Sequence, residues 1–180
     1  VTADPPLAIE GISVPADGST TVIYQARTNA YTPLGLESSV VNTVTASGGG
    51  LATPIQASAE LFAVSEVDLT ITKALCPTVI TENGTINYTL TVQNFGNTAA
   101  TAADNAVITD TFNPILKQIT VTFNGAEWTA PDDYTYSEET GVFQTVAGKI
   151  TVPAVTYTRN ADGTFTVTPG ISTLVISGTI

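Results

Sequence analysis

From Asp68 to Phe112 the chain alternates apolar and polar residues with a period of two. Leu69, Ile71, Lys73 and Leu75 share one parity, with Thr70 and Thr72 on the other. Ile86, Tyr88, Leu90 and Val92 oppose Thr85, Asn87, Thr89 and Thr91. Ala106, Ile108, Asp110 and Phe112 oppose Val107, Thr109 and Thr111. A helix repeats every 3.6 residues and cannot hold such a pattern, so these runs predict half-buried antiparallel strands. Two residues break the pattern in the same way. Lys73 and Asp110 occupy parities that should face a core, and a buried charge is costly unless it is paired or chemically neutralised.

The same stretch carries a resemblance. It opens with a D-L-x-[IV]-T-K strand at Asp68–Lys73 and continues with P-x-x-x-x-x-N/G-G-x-[IV]-x-Y-T-[IL]-T-V-x-N-x-G from Pro77 to Gly96. It closes with V-[IV]-[TV]-D-T-[FL] at Val107–Phe112. In order and spacing this is similar to a bacterial, Gram-positive-like surface-protein repeat known only as domain of unknown function number eleven. The resemblance implies Ig-like sandwich modules strung along extracellular or cell-envelope proteins. It implies no enzyme and names no ligand.

Composition narrows the classes further. The 180 residues suffice for one sandwich and a second, smaller one. The net charge is -11, with only five basic residues, which argues against nucleic acid as a partner. With no His and one Cys, His-based triads, Cys-His dyads and zinc clusters have no parts to work with, and no cofactor is expected. No apolar run approaches the roughly 18–20 residues that span a bilayer, so membrane insertion is not expected. The chain shows no signal peptide and does not open with Met, as a mature or excised piece of a longer precursor would not. Charged residues are sparse at 12%, and the polar surface is built from Thr, Ser and Asn. That composition fits an exported β-protein at a cell surface, in a spore or in a cell envelope.

Along the chain, residues 1–66 read as the closing part of one Ig-like module followed by a linker. Val1–Pro6 suggests an edge segment, and Ile9–Val14, Ser19–Arg27, Val40–Ala46 and Ile55–Phe62 are strand candidates. Residues 67–180 read as a second module. After the three strands above come Ile119–Phe123, an Asn124-Gly125 hairpin turn, Glu127–Thr129 and a Tyr-bearing acidic segment at Asp132–Glu139. Strands are then expected at Gly141–Val146, Lys149–Val152, Val155–Thr158, Thr164–Thr168 and Ser172–Ile180. No helix is predicted. The whole is an all-β chain of Ig-like antiparallel sandwich modules.

Each module lacks something the other possesses. Pro15–Arg27 resembles Pro169–Ile180, but only the first is followed by a V-x-N-T-V-T strand, and only the second module has the opening D-L-x-x-T-K strand. Either the boundaries are arbitrary cuts, or Val40–Ala46 completes a sheet of the second module by strand exchange, within the chain or with a neighbour. Head-to-tail exchange between identical chains would not close, and would build a fibre.

The candidate chemistry lies in Lys73, Asp110 and Asn42, all on inward parities. An amine, a carboxyl and a carboxamide are the parts of a Lys–Asn isopeptide bond. Burial favours the uncharged amine, which is the nucleophile, and a buried acid can polarise the amide and carry the proton. By similarity to stapled Gram-positive adhesins and pilins, Lys73 would attack, Asn42 would accept and Asp110 would handle the proton. The plainer alternative is a Lys73–Asp110 salt bridge at a strand end, with Asn42 bonded to backbone or capping a turn.

Cys76 is either a lone thiol or an interchain partner. Asp132, Asp133, Glu138 and Glu139 read as a solvated acidic loop before a Ca²⁺ site. Asn83 and Asn87 open formal glycosylation sequons, and Trp128 reads as a core plug or an exposed contact. The functional expectation is a structural, non-enzymatic surface or fibre subunit that forms homo-oligomers by strand complementation. The alternative is a monomeric stalk or adhesin module of a larger surface protein.

Overall fold

A computed structural model describes residues 7–27, 29, 32, 35, 38–81 and 83–180. The edge segment expected at residues 1–6 lies outside them. The chain is all-β, and every strand pair is antiparallel. Among the described residues the departures from strand and loop are turns and one 3₁₀ turn, Ala102–Asp104. No helix among them is long and apolar enough to cross a membrane.

Among the described residues the first two strands, β1 (Ser39–Ala46) and β2 (Ile55–Phe62), pair only with each other. The expected strands at 9–14 and 19–27 do not form, although the Pro15–Gly18 turn closes with a Gly18 N–H to Pro15 carbonyl bond of 3.1 Å. Their alternation is real, but a strand needs a neighbour to take its hydrogen bonds, and none is present there among the described residues.

From residue 69 onward a sandwich forms. Its larger sheet runs in the order β3 (Leu69–Cys76), β4 (Thr85–Asn94), β12 (Gly170–Thr179), β6 (Lys117–Phe123), β7 (Ala126–Trp128). The smaller sheet is β5 (Thr109–Thr111), β9 (Val142–Thr145), β8 (Tyr134–Tyr136). A separate hairpin joins β10 (Thr156–Arg159) to β11 (Phe165–Thr168). The segment at 149–152 is not a strand; Val152 makes only an isolated bridge to Ala100.

Alternation decides which side chains enter the core. Ile86, Tyr88, Leu90 and Val92 of β4 and Leu174 and Ile176 of β12 point inward, against Phe112, Phe143 and Tyr134 from the smaller sheet and its flanks. Burying a large apolar side chain contributes about 1.5–3 kcal/mol, so this one cluster carries most of the drive to fold. The Asn124-Gly125 turn between β6 and β7 has φ of 50° and 82°, the two positive values that a tight type I′ hairpin requires. Trp128 stacks on Phe123 with centroids 4.8 Å apart and packs against the core, as the plug reading expects.

Candidate functional site

The larger sheet has five strands and the smaller has three, and β3 is an edge strand of the larger. Register places Leu69, Ile71, Lys73 and Leu75 opposite Asn94, Val92, Leu90 and Tyr88 of β4, hence on the core-facing side. Yet Leu69, Ile71 and Leu75 are 37%, 52% and 43% exposed. β5 is the edge strand of the smaller sheet, and among the described residues it pairs only with β9. Every residue of β3 is solvent-exposed, whereas alternate residues of neighbouring β4 are buried.

Lys73 spans this opening. Its Nζ lies 2.5 Å from Asp110 Oδ2 on β5, which joins the two sheets by an ion pair. The ammonium also sits 4.5 Å from the ring centroid of Tyr88 and 5.1 Å from that of Phe112. Those two rings are themselves packed at 5.0 Å. Aromatic faces attract a cation, so the rings offset part of the cost of removing the ammonium from water. Asp110 Oδ1 accepts the Thr111 N–H at 2.9 Å. Oδ2 is buried, and no hydrogen bond of ordinary geometry reaches it, so the Lys73 ammonium is its partner. The side chains are 39% and 15% exposed, so the lysine remains accessible from the open side.

Asn42 lies elsewhere. It stands in the middle of β1, opposite Ala59, and its Nδ2 donates to the Tyr24 hydroxyl at 2.6 Å. The structure thus unites Lys73 with Asp110 and leaves Asn42 on the separate hairpin.

A buried asparagine that sequence reasoning missed fixes the approach to β3. Asn94 is fully buried; its Oδ1 accepts the N–H groups of Asp68 and Gly96 at 3.1 and 2.9 Å, and its Nδ2 donates to the carbonyls of Thr98 and Pro153 at 2.8 and 3.1 Å. Around it the link 64–68 is clamped to the loop 94–98. Glu66 N–H donates to Asn97 Oδ1, Asn97 Nδ2 to the Val64 carbonyl, Thr98 N–H to the Glu66 carbonyl and Phe95 N–H to the Asp68 carbonyl. The N-F-G-N-T sequence signals a turn but not the strap that the turn holds.

The remaining candidates resolve simply. Cys76 is exposed and free. In the acidic segment Asp133 pairs with Lys149 at 2.8 Å and Glu138 accepts the Gln118 N–H, and no metal-holding cluster occurs among the described residues. Lys149 and the Thr129 amide hold the Asp133 carboxyl below its ordinary range. Asn87 accepts a hydrogen bond from Ser177 on the outer face of the sandwich.

No protein-family model, curated protein or solved structure matches the chain. The resemblance of Asp68–Phe112 to the surface repeat therefore rests on its motifs alone.

Proposed function

We propose that this chain is a structural, non-enzymatic subunit of an extracellular surface or fibre, and that it self-associates head to tail by β-strand complementation. The observation that carries this reading is the uncovered core-facing side of β3. A sandwich buries such residues between its sheets; here three large aliphatic side chains and a lysine stay exposed, with no strand of the described residues pairing beyond β5 to cover them. The Ig-like reading and the likeness to a repeated surface module agree with a chain that works by joining copies of a fold.

Lys73 and Asp110 are the receiving half of an amide crosslink in this proposal, with Asn42 the other half. The Lys73 ammonium gives a proton to Asp110 and the freed amine attacks the Asn42 side-chain carbonyl. The new C–N bond replaces the C–NH₂ bond, the displaced nitrogen takes the Asp110 proton and leaves as ammonia, and the proton released by the new amide nitrogen returns to Asp110. No oxidant or cofactor is needed.

Electrophoresis of boiled, reduced protein, with intact mass of each band, tests both claims together with electron microscopy of the native sample. Fibres that survive boiling as a ladder, one ammonia lighter per bond, are the expected result. Fibres that dissolve to full-mass monomer would remove the crosslink and keep the association. Monomers under every condition would instead favour a stalk or adhesin module.

A further inference from the structure

The opening at β3 has a counterpart elsewhere in the chain. In the β1–β2 hairpin, pairing of Val40 with Leu61, Asn42 with Ala59, Val44 with Ala57 and Ala46 with Ile55 puts these residues on one face. That face is apolar except for Asn42, and among the described residues it packs on no core: Val44, Ile55 and Leu61 are 60%, 57% and 65% exposed. The opposite face carries the side-chain hydrogen bonds Ser39–Glu60, Thr43–Ser58 and Gln56–Thr45, together with Val41 and Phe62. The hairpin is therefore an amphipathic two-stranded sheet, and an isolated hairpin is at best marginally stable in water.

We infer that the β3 opening is filled by the β1–β2 hairpin of a second copy of this chain, laid apolar face down as the missing part of the smaller sheet. This deepens the self-association proposed above and rests on it. Three matches support the pairing. The uncovered core-facing side belongs to an edge strand of the larger sheet, and the donor is a two-stranded sheet with an uncovered apolar face of its own. Donor strands and β3 are each eight residues long. Each apolar face carries one polar side chain near its middle, Asn42 on the donor and Lys73 on the receiver, so that in the docked contact the two polar groups face each other rather than apolar side chains. Asn42 then exchanges the Tyr24 hydroxyl for the Lys73–Asp110 pair.

The chain's own hairpin is poorly placed for this role. Six residues separate Phe62 from Leu69, and Val64 to Asp68 are strapped to the 94–98 loop beyond the end of β3. Folding back over Lys73 would break that strap. Donor and receiver surfaces differ, so the contact is heterologous and repeats from copy to copy.

Sedimentation velocity on two complementary variants tests the inference. Val44→Asp/Leu61→Asp spoils the donor face, and Ile71→Asp spoils the receiver; all three positions are exposed, and melting curves check that the sandwich stays folded. The expected result is that the unaltered chain grows into longer species with concentration, each variant alone stays monomeric, and their mixture forms two-chain complexes and nothing larger. If the donor variant still polymerises like the unaltered chain, or the two variants fail to pair on mixing, the hairpin is not the occupant, although the chain still self-associates. If the unaltered chain is monomeric at all concentrations, this inference and the reading beneath it both fall.

Discussion

Lys73 on β3 and Asp110 on β5, each on an edge strand of its sheet, meet at 2.5 Å across the space between the two sheets. The pair does what a strand of the smaller sheet would otherwise do there: it ties β3 to the opposite layer. Removing only the lysine leaves a largely buried carboxylate without a partner, which costs several kcal/mol in a closed interior. The opening admits water on the lysine side, so the expected loss for Lys73→Met is smaller, about 1–2 kcal/mol. Adding Asp110→Asn should recover much of it. A double-mutant cycle by urea denaturation measures the coupling, and strictly additive effects would show that the contact contributes nothing.

Asn94 is expected to be the costliest polar residue to truncate. Asn94→Ala removes two acceptor and two donor contacts at a fully buried position and leaves the Asp68 and Gly96 amides without their partner. A loss of about 2–4 kcal/mol is expected from unsatisfied buried groups. Hydrogen exchange should quicken first at Asp68 and Gly96, then along the link to β3. Unchanged exchange there would mean that the strap is held by Asn97 and the backbone alone.

These two sites differ in how far the sequence discloses them. The Lys73–Asp110 pair is legible, because period two assigns each residue to the core side and opposite charges on facing strands find each other. Strands β3, β4 and β5 are legible for the same reason, as is the Asn124-Gly125 turn. Asn94 is not legible: its role depends on the Pro153 carbonyl, 59 residues away, which no local pattern announces. Residues 19–27 show the converse, an alternation as regular as that of β1 with no sheet among the described residues to receive it. Asn42 shares a hairpin face with Val40, Val44 and Ala46, as its parity assigns it, but that face is exposed, and parity cannot say what a face will meet.

Gly170 opens β12 at a point of close backbone approach. A Cβ there would lie 1.8 Å from the Pro153 carbonyl oxygen, well inside contact distance and against backbone that cannot swing away. Gly170→Ala should therefore lower thermal stability markedly, by about 2–4 kcal/mol. Gly125→Ala meets no atom within 4 Å and suffers only from its positive φ of 82°, at about 1 kcal/mol. Comparing the two melting curves separates collision from backbone strain, and equal losses would contradict the geometry.

Acid should weaken the Asp133–Lys149 contact. The Lys149 hydrogen bond and the Thr129 amide hold Asp133 below its ordinary value of 3.8, and the Asp133 hydrogen bond raises Lys149 above 10.5. A lowered carboxylate contributes fully above its unfolded value and loses that contribution as pH falls through the folded one. A raised amine contributes fully below its unfolded value and loses it as pH rises through the folded one. Both contributions are therefore complete from about pH 5 to 9. The stability difference between the unaltered chain and Lys149→Met should be constant across that window and shrink below pH 4. A difference that persists at pH 2 would assign the lysine a packing role instead.

Salt should favour association. Each copy carries a net charge of -11, so bringing copies together is opposed by long-range repulsion, while the proposed contact is mainly apolar. Raising ionic strength from 0.01 to 0.15 M shortens the screening length from about 30 to about 8 Å, which weakens repulsion between distant carboxylates more than a dry contact at the interface. Light scattering at fixed protein concentration should therefore rise across that range. The opposite trend would show that association depends on attraction between charges, which for a chain with five basic residues would have to centre on very few sites, Lys73 first among them.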